Sequence, residues 1–424
     1  MPRGTRRPGG RGRIGPFPVW AVVTVAVALV AAGVVVVVSG SRGGSSRDAG
    51  VNSSAAAASP EQAGAGSQGA GSPSASADCA ASLVAKMTVE QQAAQLLMIG
   101  TPIASPLNAT QTIQRYKIGG IFLAGRSSAS AASMRQAIGQ LQEASRQASG
   151  LALQIGIDQE GGQVQTLKGT DFPAIPSAVS QGRLDGGTLS GRTAEWAGRL
   201  KGIGVTIDLA PVADVVPADV GKANPPIGGF DRQYGSTPDE VADDVATVVS
   251  AVQGAGVLTT LKHFPGLGRV RVNTDTSTGA HDDLTTADDP SLRPFSKGIA
   301  AGSAAVMISS ATYPKLDPDN VAAFSAPIVT DLLRGKLGFT GLVLSDDLGA
   351  AEAVASVPVG QRAVRFVKAG GDMALSVRLS DAAPMSEALV AAAKSDPAFA
   401  ARVTQSATRV VQSKIRAGLT SCAG

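Results

Sequence analysis

Short apolar or β-branched runs recur along residues 79–424, separated by stretches whose apolar positions repeat with a helical spacing. The runs fall at Ala94–Thr101, Gly119–Ala124, Leu153–Asp158, Val205–Ala210, Val257–Leu261, Ala304–Ser309, Gly341–Ser345 and Asp372–Ser376. Runs of this length between turn residues predict buried strands. Helical patterns such as Ser133–Ala148 and Thr237–Gln253 lie between most of them. Strands alternating with helices in this way predict the α/β class and a (β/α)8 barrel. A doubly wound open sheet is the alternative. It favours a Gly-rich phosphate loop after its first strand, and Gly100–Pro106 does not have that form.

The pattern ahead of these runs is different. Val19–Val38 carries no charge and almost no polar side chain, and five arginines precede it. At about 1.5 Å per residue it can span a hydrocarbon core of roughly 30 Å. It predicts a single-pass signal-anchor over residues 19–39, with the basic segment 1–18 in the cytoplasm and the rest outside the cell. A cleaved signal peptide with secretion is the alternative, although such peptides have apolar cores of only about 7–15 residues. Residues 40–78 are mostly Gly, Ser, Ala and Pro. They bury too little to offset their ordering entropy and predict a flexible linker. The folded domain is expected over residues 79–424.

Charge sharpens this picture. The formal net charge is +4, but Arg3, Arg6, Arg7, Arg11, Arg13 and Arg42 stand in the first 42 residues without an acid among them. The remainder is slightly acidic, so a nucleic-acid-binding body is not indicated. Two cysteines and two histidines give no metal-ligand spacing, and no metal or cofactor is expected. Cys79 and Cys422 bracket the folded region, and outside the membrane they are expected to form a disulfide joining its ends. A monomer is expected.

The remaining signal is polar. The third run ends in Asp158-Gln159-Glu160-Gly161-Gly162, and the fourth leads into Asp208-Leu209-Ala210-Pro211-Val212-Ala213-Asp214. The fifth ends in Lys262-His263-Phe264-Pro265-Gly266, and the seventh in Ser345-Asp346-Asp347. Each alone reads equally well as a helix cap or a structural ion pair. In a barrel, however, strand C-termini converge on one mouth, where carboxylates, a Lys and a His together suit a hydroxyl-rich ligand. Paired carboxylates with hydrogen-bonding partners are also the parts of a glycosidase.

These segments resemble glycoside hydrolase family 3, in its bacterial β-N-acetylglucosaminidase branch, over about residues 85–415. Asn224-Pro225, Ile227-Gly228 and Arg232 match as well, as does Gly341 through Leu348. The resemblance implies a single barrel and retaining hydrolysis of a β-glycoside, with terminal β-N-acetylglucosamine of cell-wall glycans as the expected substrate. It implies Asp346 as nucleophile and Asp158, Arg232, Lys262 and His263 as sugar-binding residues. Carboxylates accept from sugar hydroxyls, and Lys and Arg donate to them.

The chain departs from the branch at its acid/base. Where the branch carries Asp-Ser-His after the fifth strand, this chain has Asn273-Thr274-Asp275. A nearby His is replaced by Leu267, and two Arg positions after Asp158 are Gln163 and Thr166. Three readings stand side by side. Asp275 is the acid/base in a two-carboxylate scheme; or His281 swings in from the same loop; or the site binds glycans with little or no turnover. A β-glucosidase-type specificity is a further alternative. Arg269 and Arg271 in this loop suit an anionic or hydroxyl-rich ligand, or simply a solvated tip.

Overall fold

All eight apolar runs become parallel strands, at Leu97–Pro102, Gly120–Ala124, Gln154–Ile157, Ile207–Asp208, Leu258–Phe264, Ala305–Ile308, Leu342–Asp347 and Met373–Ser376. They close into a barrel in which each strand neighbours the next and the first pairs with the eighth. The closing register sets Leu97 against Ala374 and Ile99 against Ser376. The computed structural model describes residues 73–421.

The helices form where spacing and caps agree. Ala131–Ser149 starts at Ser130, whose hydroxyl accepts from the Ser133 N–H, and stops at Gly150 with φ 75°. Glycine adopts that left-handed conformation without the steric cost other residues meet. Pro238–Gly254 opens with a reciprocal pair, Thr237 capping Glu240 and Glu240 reaching back to Thr237. Two buried layers result. One fills the barrel with Met98, Phe122, Ile207, Met307, Leu344 and Leu375. The other packs the outward strand faces, such as Ile99, Ile121 and Val306, against the helices.

Two expectations change here. The fourth strand pairs regularly only at Ile207–Asp208, although its apolar run is six residues long. It then continues irregularly beside the fifth strand, where the Ala213 N–H donates to the Lys262 carbonyl at 2.7 Å. The linker also ends earlier than expected, because Pro73–Val84 is helical. Ala80 and Val84 of that helix are buried in the outer layer, which gives residues 73–78 a packed helix to begin. The apolar segment Val19–Val38, the linker up to residue 72 and Cys422 lie outside the described residues, so the anchor and the Cys79–Cys422 pairing do too.

Candidate active site

The strand C-termini surround a cavity of about 360 Å³. Asp158, Arg232, Lys262, His263, Asp275 and Asp346 all line it. Its deeper wall is apolar, with Phe122, Leu209, Met307 and Leu375. A polar rim over an apolar floor suits a sugar ring, which has hydroxyls at its edge and C–H groups on its faces.

One side of the cavity is an ion-pair network. The Lys262 ammonium sits 2.6 Å from Asp158 Oδ1 and 2.6 Å from Glu160 Oε1. Glu160 also grips Arg232 at both oxygens, with Nη2 to Oε1 at 2.7 Å and Nε to Oε2 at 2.8 Å. Burial alone would raise the Glu160 carboxyl, but the charges of Arg232 and Lys262 outweigh it and hold the group at about 2. Burial likewise opposes the Lys262 ammonium, and Asp158 and Glu160 more than compensate, raising it. Both cations are therefore fixed, charged donors at the cavity edge. Glu160, the residue that organises them, was quoted in the sequence motif but not singled out. Its signal was the Asp158-Gln159-Glu160 spacing, which puts two carboxylates on one face of an extended segment.

His263 is oriented from behind. Its Nδ1 lies 2.8 Å from Asp214 Oδ2, and Asp214 Oδ1 accepts from the backbone N–H groups of His263 and Leu267. A carboxylate only accepts, so Nδ1 carries the proton. Nε2 is left as an acceptor 3.4 Å from Arg232 Nη2. Beneath the network lies Asp208, which burial pushes up to about 7. Asn224 ties the loop carrying Arg232 to the loop after the fifth strand, donating to the Leu267 and Val270 carbonyls at 2.7 Å each.

The opposite side carries the other two carboxylates. The seventh strand presents Asp346 and Asp347 in succession, and their surroundings separate them. Asp347 accepts three backbone N–H groups, from Gly349, Ala350 and Val377. Among the described residues, Asp346 accepts only the N–H of Asp347, at 2.8 Å. Asp347 is thus committed to the turn, and Asp346 keeps lone pairs for a ligand. Residue 275 is exposed overall, but its carboxyl lines the cavity. There the surrounding protein and the negative charge of Asp346 push it up to about 6, against the pull of Arg232. Asn273 spends its side-chain oxygen on the Asp275 N–H, at 2.9 Å.

His281 does not join them. Its side chain is mostly exposed, with Nδ1 on the Gly279 carbonyl and Nε2 3.4 Å from Asp283, and it is absent from the cavity lining. Its backbone bridges Thr312. In this structure His281, the alternative acid/base, stands outside the cavity that Asp275 lines. Arg269 is also committed elsewhere, to Asp289 at 2.7 Å, whereas Arg271 stays exposed. The Gln163 carbonyl accepts from Arg126 at 2.6 Å, so an arginine from the second strand's end reaches the segment where the branch carries its own. Among the described residues no three His, Cys, Asp or Glu side chains gather as metal ligands would.

Residues 88–413 match the sequence profile of the glycosyl hydrolase family 3 N-terminal domain. A β-hexosaminidase of Stenotrophomonas maltophilia is 35% identical over 274 residues, which cover 62% of this chain and 77% of that protein. The crystal structure of a β-N-acetylhexosaminidase from Beutenbergia cavernae superposes with a TM-score of 0.75 at 45% identity, covering 77% of this chain and 98% of the other. A family 3 β-N-acetylglucosaminidase from Paenibacillus gives 0.72 at 30% identity, covering 78% and 63%.

Proposed function

The chain belongs to glycosyl hydrolase family 3 and is a β-N-acetylhexosaminidase-like glycoside hydrolase; from that premise we propose that it releases terminal β-N-acetylglucosamine with retention of configuration. Asp346 is the nucleophile and Asp275 the acid/base. The observation that carries this reading is the pair itself. A lightly bonded Asp346 shares one cavity with an Asp275 whose carboxyl is pushed up to about 6.

The chemistry then runs in two steps. Asp275 gives its proton to the glycosidic oxygen while Asp346 attacks the anomeric carbon and forms a glycosyl ester. Asp275, now a carboxylate, takes a proton from water, which displaces Asp346 and restores it. Asp158, Lys262, Arg232 and His263 hold the sugar. Asp158 and His263 Nε2 accept from hydroxyls, and the two cations donate. The acid/base is here a carboxylate where the branch uses an imidazole, and the environment supplies the raised proton affinity it needs.

The setting belongs to the proposal as well. Val19–Val38 anchors the protein in the membrane and the barrel works outside, on cell-wall glycans, with Cys79 and Cys422 paired. Recovery in the membrane fraction, with release by protease acting on residues 40–72, tests the anchor. A soluble form beginning near Ser41 would show cleavage instead.

The activity is tested by hydrolysis of an aryl β-N-acetylglucosaminide, with the first-formed anomer read by NMR. The β-anomer is expected, and Asp346→Ala abolishes turnover. An α-anomer overturns retention. A wild type inert on β-N-acetylglucosaminides and β-glucosides alike leaves a glycan-binding module on this scaffold.

A further inference from the structure

Asp275 stands on a loop that is moored by another loop. The Glu352 N–H donates to the Asp275 carbonyl at 3.2 Å, and the Ala353 N–H to the Thr274 carbonyl at 3.1 Å. These donors belong to the segment that follows Asp346 directly. One loop therefore carries the nucleophile at its start and the seat of the opposing carboxylate in its turn, Glu352–Val354.

That turn is short and would be easily displaced, yet a buried guanidinium fastens it. Arg362, on the helix Val359–Ala369, has Nη1 on the Leu348 and Gly349 carbonyls at 2.7 and 2.9 Å. Its Nε donates to the Val357 carbonyl at 2.7 Å, and Nη2 to that of Ala355 at 3.4 Å. The four carbonyls bracket the mooring turn. Arg362 is not among the cavity-lining residues and is 6% exposed. A planar fork of five donors can hold several carbonyls in one geometry, which an ammonium cannot. From the other side, Asp347 holds the Gly349 and Ala350 N–H groups.

We propose that Arg362 is a positioning residue for the hydrolysis: through the loop 348–357 it sets where Asp275 stands relative to Asp346. The proposal rests on Asp275 being the acid/base. Displacement of a catalytic group by about 1 Å can cost on the order of a hundredfold in rate, and the mooring hydrogen bonds are the contacts that prevent it.

Two variants test it. Arg362→Lys keeps the charge and loses the fork. Glu352→Pro removes one mooring N–H, together with a carboxylate that acts on Arg362. Residue 352 opens its turn, where proline is tolerated, and Ala351 has φ −61° and ψ 128°, an extended conformation suited to a residue before proline. Both variants should stay within about twofold of wild type in kcat/KM on an activated aryl β-N-acetylglucosaminide, yet lose about ten- to a hundredfold on an alkyl glycoside or disaccharide, whose leaving group needs the proton. The alkaline limb of their pH profiles should move to lower pH, as Asp275 moves away from Asp346. The melting temperature of Glu352→Pro should match the wild type. An equal loss on both kinds of leaving group, or none on either, overturns the proposal. Asp275→Ala separates the two levels. If it loses on poor leaving groups while both mooring variants do not, the positioning role fails alone. If Asp275→Ala itself is without effect there, the acid/base assignment fails and takes the positioning role with it.

Discussion

Asp275 and Asp346 line one cavity, where burial and then the negative charge of Asp346 raise the Asp275 carboxyl to about 6. The two are 71 positions apart in the chain. The charge of one carboxylate thus adds to burial in keeping the proton on the other.

The first prediction follows from that coupling. The acid must be protonated for the first step, so kcat/KM should fall as pH rises through about 6. Removing the charge with Asp346→Asn should lower the Asp275 carboxyl toward its ordinary value of about 4. Carboxyl-carbon NMR titration of Asp275 in both proteins checks this, and an unchanged midpoint would remove Asp346 as the cause.

The two carboxylates should respond differently to truncation. Asp346→Ala should lose all turnover, because no glycosyl ester can form. Asp275→Ala should lose about a hundred- to ten-thousandfold on poor leaving groups and much less on activated aryl glycosides in kcat/KM. Azide should restore part of its turnover on activated substrates, since the anion attacks the ester without a general base, and the product should be the β-glycosyl azide. Absence of any azide adduct would argue against the covalent route.

Glu160→Gln removes the carboxylate that bridges Lys262 and Arg232. Breaking a buried ion pair from one side typically costs about 3–5 kcal/mol, and KM should rise because two sugar-binding donors lose their orientation. The wild type should also weaken in acid. A carboxyl held at about 2 in the fold stabilises it above the unfolded value near 4.5. That contribution is lost as pH falls from about 4.5 toward 2, and it is on the order of 3 kcal/mol. Urea unfolding of both proteins across this window should show the slope in the wild type and a shallower one in Glu160→Gln.

Lys414 is buried far from the site, with Nζ 2.6 Å from Gln95 Oε1, and burial pushes it down to about 7. The unfolded chain keeps that proton up to about 10.4, so folding releases it between about 7 and 10 and stability should rise with pH over this window. Lys414→Met should be more stable than wild type at pH 7 and should lack the alkaline gain. Melting temperatures at pH 7 and 10 decide it. A wild type that does not gain stability on going alkaline would mean the ammonium stays charged in the fold.

The barrel was legible because its information is local. Each strand is an apolar run such as Gly119–Ala124, found as Gly120–Ala124, and each long helix carries its own spacing and cap, as at Thr237 and Glu240. Where pairing rather than composition decides, the reading was coarser, as in the short fourth strand and the early start of the helix Pro73–Val84. That Asp158, Arg232, Lys262, His263 and Asp346 would gather at one cavity was also legible, because strand ends in a barrel converge and the motifs stand at or near those ends.

Their supporting partners were not. Glu160 reaches Arg232 across 72 residues and Asp214 orients His263 across 49, distances over which one-dimensional spacing carries no geometry. The clearest case is the loop after the fifth strand. Asp275 and His281 lie six positions apart and the sequence alone offers both to the cavity. In the fold the first lines the cavity, with Glu352 and Ala353 bonded to its backbone, and the second does not, its backbone bridging Thr312. The sequence by itself determined which strands form and which polar residues stand at their ends, because hydrophobic periodicity and motif are properties of neighbours along the chain. Only the tertiary structure decided that Asp275 lines the cavity with Asp346 while His281 does not, because that depends on contacts supplied by segments distant in sequence.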